Sequence, residues 1–135
     1  MWRDWIKRVP DVNALEFDHV FMAYLPDKDQ DGNVFDVTPW ELKALKIQGK
    51  LFGGATSISS KGSYRKLDKK GASIDVLIEE TKMVVSYVKE KDFTEKALKE
   101  VADFLKEYGA KTNQETVAFT IDQEMFYIDM PTTIE

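Results

Sequence analysis

At 135 residues, with 43% hydrophobic and 12% aromatic side chains, the chain has enough apolar mass for one domain with its own core, which argues against disorder. The absence of cysteine and the presence of one histidine exclude disulfides, thiolate metal sites, cysteine nucleophiles and multi-histidine zinc centres. The net charge of −5 disfavours a general nucleic-acid coat.

The charge is unevenly placed. From Thr112 to Glu135 there are five acids and no lysine or arginine, so the preceding residues are neutral overall. Lys61–Lys70 holds five basic residues and one acid; Asp27–Asp36 holds four acids and one lysine. No apolar run reaches the ~18–20 residues of a membrane span. Charges stand at Arg3, Asp4, Lys7 and Arg8, where a signal peptide would be apolar. The expectation is a soluble, cytoplasmic protein with no membrane contact.

Trp2, Trp5, Ile6 and Val9 recur with helical spacing, and Pro10 stops the run, which predicts an N-terminal helix over residues 1–10. Phe17–Leu25 is rich in β-formers and ends at Pro26, which predicts a first strand. A polar turn over Asp27–Asp36 follows, bent at Gly32. Thr38-Pro39-Trp40-Glu41 has the form of a capping box and opens a helix to about Lys50. Ala55–Ile58 and Ser63–Lys66 read as extended, with Gly62 as a bulge, and Leu67–Gly71 as a turn. Ser73–Ile78 and Met83–Val88 continue as strand. Asp92-Phe93-Thr94-Glu95 is a second capping box, and Leu98, Val101, Ala102, Leu105 and Tyr108 follow at helical spacing up to Gly109. Thr116–Ile121 alternates as a strand, and Met125–Ile128 extends it or folds back on it. Residues 131–135 read as a tail.

Residues 1–135 therefore form a single α+β domain. The order after the first helix is β-α-β-β-α-β, and two interleaved right-handed crossovers predict a ferredoxin-like antiparallel sheet with two helices on one face. The first strand is apolar on both sides. Phe17, Phe21, Ala23 and Leu25 point one way; Val20, Met22 and Tyr24 point the other. The face away from the helices thus needs a cover, either the Trp2/Trp5 helix or a second copy of the chain in a homodimer.

Several places can carry chemistry. Asp27, Asp29 and Asp31, with Gly32 at the bend and Asp36 beyond, reproduce the first half of a calcium-binding EF-hand loop, although its closing glutamate is replaced by Thr38. Calcium is the one cofactor this pattern suggests. Lys61-Gly62-Ser63-Tyr64, with Val20–Leu25, matches fragments of an RNA-recognition motif, but the stacking positions carry Lys66 and Asp68. His19, beside Asp18, is the one candidate for a histidine general base. Glu79 and Glu80 are neighbours on a strand and so face opposite sides, which prevents them from acting as a pair.

Trp40, Gly54-Ala55-Thr56, Gly62-Ser63-Tyr64, Glu80 and Gln114-Glu115-Thr116-Val117 resemble the recurring pattern of a family of small bacterial proteins of unknown function. Tyr64 stands where that pattern has tryptophan. The resemblance implies a pocket around Thr56, Tyr64, Glu80 and Gln114, to which His19 is added as the candidate base.

The leading expectation is a non-enzymatic binding domain that self-associates through its open sheet face. The alternative is a small-molecule enzyme of the dimeric α/β-barrel kind, with a pocket between sheet and helices. Calcium-modulated binding and RNA binding are further alternatives.

Overall fold

The computed structural model describes residues 1–131. The tail expected over 131–135 falls almost wholly outside them. The elements are α1 (Trp2–Lys7), β1 (His19–Pro26), α2 (Thr38–Phe52), β2 (Thr56–Leu67), β3 (Ser73–Val88), a 3₁₀ turn (Glu90–Asp92), α3 (Glu95–Lys111), β4 (Thr116–Ile121) and β5 (Glu124–Asp129). The strands form one sheet in the order β2-β3-β1-β4-β5, antiparallel throughout. Met125–Ile128 folds back across a turn in which Asp122 and Gln123 take positive φ, so the sheet has five strands rather than four.

Helices α2 and α3 pack on one face. Phe21, Ala23 and Leu25 of β1, Val84 and Val88 of β3 and Val117 of β4 meet Ala44 and Phe52 of α2 and Val101, Leu105 and Tyr108 of α3. Gln48 is buried in this layer. Its side-chain amide donates to the Val84 carbonyl and the Ser86 hydroxyl, both at 3.1 Å, so the polar group carries no unpaired donor cost.

Of the two predicted capping boxes, the structure forms a side-chain cap at the second alone. Thr94 caps α3, its hydroxyl accepting from the Ala97 N–H at 3.1 Å. The first capping box does not form. Thr38 is already helical, and Asp36 accepts from its N–H at 3.0 Å. Glu41 instead accepts from the Ser57 hydroxyl and lies 3.7 Å from Lys82. Gly62 sits in regular register; the irregularity falls at Lys66/Leu67. Gly109 does not stop α3. It lets the helix approach β4, because a Cβ there would stand 2.7 Å from Val117 Cγ2 and 2.6 Å from Met130 Sδ.

Leu15 and Phe17 lie against the open face of the sheet beside Val85 and Tyr87, and leave much of it uncovered in a single chain. Residues 1–18 are all exposed, so α1 does not lie across it. No helix among the described residues is long and apolar enough to cross a membrane.

Candidate functional site

The β2–β3 hairpin outruns the sheet. β1 pairs with β3 only over Thr81–Val88, so Ser73–Glu80 and the facing part of β2 form a two-stranded arm. Side chains of cross-strand partners share a face, and faces alternate along each strand. Val84, Ser86 and Val88 face the helices. Thr81, Glu79 and Leu77 therefore face the other way, along with their partners Ser60, Gly62 and Tyr64. Glu80 points to the helix side, where it lies 3.8 Å from Lys61. Gly62 puts no side chain beside Glu79, its neighbour across the ladder, and a Cβ there would meet Thr81 Oγ1 at 3.5 Å.

At the base of the arm the acidic loop is tied down from both sides. The Asp27 N–H donates to the Glu80 carbonyl at 2.9 Å, and Lys28 Nζ to the Ile78 carbonyl at 2.7 Å. Gln114 Nε2 donates to the Lys28 carbonyl at 2.9 Å, and Gln30 Nε2 to Asn113 Oδ1 at 2.7 Å. The result is a cleft of about 460 Å³ lined by Gln30, Asp31, Tyr64, Lys66, Glu115 and Thr116. A second cavity, of about 620 Å³, is lined by Gln30, Asn113, Gln114 and Glu115.

Asp31 and Glu115 share the cleft lining with Arg65 and Lys66, and Glu79 and Asp27 stand near Lys28. Asp27 Oδ1 is buried without a hydrogen-bond partner among the described residues. Burial pushes the Glu79 carboxyl above its usual range, Asp27 adds to the rise, and Lys28 opposes it. Burial also raises the Tyr64 phenol, followed by the charges of Glu79, Glu115 and Asp29, so Tyr64 stays a hydrogen-bond donor through neutral pH. A partly desolvated acid next to an unpartnered carboxylate oxygen, beside a cleft, marks a functional site.

The residues expected to share a pocket do not all meet. Tyr64 and Gln114 lie in or beside the cleft. Glu80 is on the opposite face; Glu79 shares the face of Tyr64 and its charge acts on the Tyr64 phenol, but it stands beside the cleft and not in its lining. Thr56 is eight residues along β2 from Tyr64, about 26 Å away at strand rise. It lines a different cavity with Phe52, Gly53 and Tyr87. His19 pairs with Val88 at that far end. Its Nδ1 lies 2.7 Å from Asp122 and its Nε2 2.5 Å from Glu90, with the ring stacked on Phe93. Both nitrogens are taken, so His19 is a structural clasp and not a free base.

The four aspartates do not converge either. Asp29 accepts from the N–H groups of Asp31 and Asn33 and from the Asn33 side chain. Asp31 accepts from Asn113 Nδ2 at 2.9 Å, Asp36 serves α2, and Asp27 faces the arm. No group of three acidic or histidine side chains placed to hold a metal occurs among the described residues.

Sequence reasoning names Asp27, Glu79 and Glu115 but does not bring Glu79 together with Asp27 or place Glu115 in the cleft. The signal was present in the alternation of the strand, but the side that faces the helices was not.

No protein-family model and no curated protein sequence matches the chain. Its fold is shared with small phage enzymes that act on S-adenosylmethionine (SAM). A phage SAM lyase in complex with S-methyl-5'-thioadenosine superposes with a TM-score of 0.63 at 13% identity, over 88% of this chain and 95% of that one. The apo form of a phage SAM lyase gives 0.65 at 13% identity, over 91% and 98%. Likeness at this identity establishes the fold. It also corrects the expectation of a non-enzymatic interaction domain, since these solved structures, matched along nearly their whole length, are enzymes.

Proposed function

We propose that the chain is a small-molecule enzyme, a lyase that breaks a carbon–sulfur bond of a sulfonium nucleoside of the SAM class. It would work at the Tyr64–Glu79 cleft, on a ferredoxin-like plan extended by β5. The observation that carries this reading is the partly buried Glu79 beside the unpartnered Asp27 oxygen, on a fold shared with SAM lyases. A site with surplus buried negative charge favours a cation, and a sulfonium is a cation that cannot lose its charge by deprotonation. Tyr64 adds a ring face to which a cation is attracted, and a hydroxyl donor.

Breaking the bond between sulfur and the aminobutyryl carbon leaves the electron pair on sulfur. The nucleoside product is then the neutral thioether S-methyl-5'-thioadenosine. The carbon fragment balances its charge either by giving a proton to a carboxylate or by closing on its own carboxylate. Loss of the sulfonium charge weakens the hold of Glu79 and Asp27, which favours product release.

The test is incubation of the purified chain with SAM and chromatography of the nucleosides. S-methyl-5'-thioadenosine should accumulate, and Glu79→Gln and Tyr64→Phe should each slow it by roughly 10²-fold or more, the scale of a lost catalytic group. Absence of the thioether, with a folded protein and no thermal shift by SAM, would refute the assignment. The same proposal places a second copy over the open sheet face, where Met22, Tyr24, Ile58 and Met83 have no helix above them.

A further inference from the structure

Helix α1 is built to be buried and is not. Trp2 and Trp5 are 62% and 66% exposed, and Ile6 and Val9 add to the same apolar face. The segment is also basic, with Arg3, Lys7 and Arg8 against Asp4, so the remainder of this acidic chain is more acidic than the whole.

A second unfilled apolar surface lies elsewhere, on the helix side of the sheet. Helix α3 covers β4 only in part, and of β5 Ile128 packs on the core while Phe126 is left part-exposed. The resulting groove, of about 590 Å³, is walled by Leu98, Ala102 and Leu105 of α3, Phe119 and Ile121 of β4 and Phe126 of β5. Glu95 and Lys99 line its rim. Glu124 stands across the β4–β5 ladder from Ile121, on the same face. With two acids to one base, the charged edge of the groove is net acidic where α1 is basic.

The chain's own α1 is directed away from this groove. Phe17 packs on Tyr87 with ring centres 6.0 Å apart, and Leu15 and Phe17 line the cavity beside Phe52 and Gly53. The segment before β1 therefore leaves it toward β3 and β2, while the groove is on the β4–β5 side of the sheet. We infer that the α3–β5 groove receives the N-terminal helix of a second copy of this chain, with Trp2, Trp5 and Ile6 as anchors and Arg3, Lys7 or Arg8 against Glu95 and Glu124. Large rigid rings seated in an apolar groove with an opposite-charge rim are the usual anchors of such a contact. A head-to-tail contact of this kind closes only as a ring. It is separate from the open sheet face and from the Tyr64–Glu79 cleft.

The chain has three tryptophans, so Trp40→Phe leaves Trp2 and Trp5 as the reporters. In that background the emission should shift to the blue as concentration rises from nanomolar to high micromolar, and the shift should weaken in high salt. Ala102→Arg fills the groove with a charge on an outer helix position and should abolish the shift; Phe126→Asp is an independent groove variant should the first fail to fold, as judged by circular dichroism. Mixing the groove-blocked chain with a chain lacking Trp2, Trp5 and Trp40 but keeping its groove should restore the shift. Emission that ignores concentration, or a shift that survives both groove variants, overturns the inference. A shift seen only on adding phosphatidylserine vesicles assigns the helix to a lipid surface and overturns it as well.

Discussion

Replacing Tyr108 with phenylalanine isolates one hydrogen bond that joins α3 to the end of β1. The Tyr108 hydroxyl donates to the Pro26 carbonyl at 2.6 Å. That carbonyl has no strand partner on its side. The Asp27 N–H points to β3, so by alternation Pro26 points the other way, and the β1–β4 ladder ends at Ala23. The ring is fully buried against Trp40 and Phe35, with ring centres at 5.6 and 6.5 Å, and Tyr108→Phe keeps those contacts. The loss is then the bond plus an unsatisfied carbonyl, about 1–2 kcal/mol. For a chain of this size that is roughly 3–10 °C in melting temperature. Calorimetry on the two proteins measures it. Tyr108→Ala, which also empties the ring's volume, should cost about 3–5 kcal/mol. A Phe variant that melts with the wild type, or one as damaged as the Ala variant, would refute the account. Because Pro26 precedes Asp27, the Phe variant should also slow thioether release from SAM.

The His19 clasp makes stability depend on pH. Its pKa is raised above 6.5, first by Asp122 and then by Glu90. A raised folded-state pKa gives stability that is complete below 6.5 and lost as pH climbs through the folded value. The wild-type melting temperature should fall through that window more than that of His19→Gln; parallel curves would remove the clasp. Asp122, lowered by His19 and the Val20 N–H, gives the opposite limb, lost as acid protonates it. Gly109→Ala should destabilise despite alanine's better helix propensity: about 1–3 kcal/mol of overpacking against Val117 and Met130 exceeds the ~1 kcal/mol gain. Urea denaturation checks it, and a stabilised variant would contradict the packing. Light scattering at micromolar concentration should give a mass above the 15.5 kDa of one chain; a monomer would remove the second copy from the open sheet face.

Local patterns determined most of the element list. Apolar spacing marks α1 and α3, alternation marks β1 and β4, and Thr94 marks the start of α3, because each of these depends on residues a few positions apart. Thr38-Pro39-Trp40-Glu41 looked equally local, yet Glu41 was drawn away by Ser57 and Lys82, partners that only the docking of β2 and β3 supplies. The same holds for the site. Alternation separates Glu79 from Glu80 in the sequence, but which of them faces the cleft depends on the register that puts Val84 under α2. His19 met Glu90 and Asp122 across separations of 71 and 103 residues, which no spacing rule anticipates. Side-chain periodicity is encoded along the chain, whereas the choice of face, and so of neighbours, is made when the sheet closes against its helices.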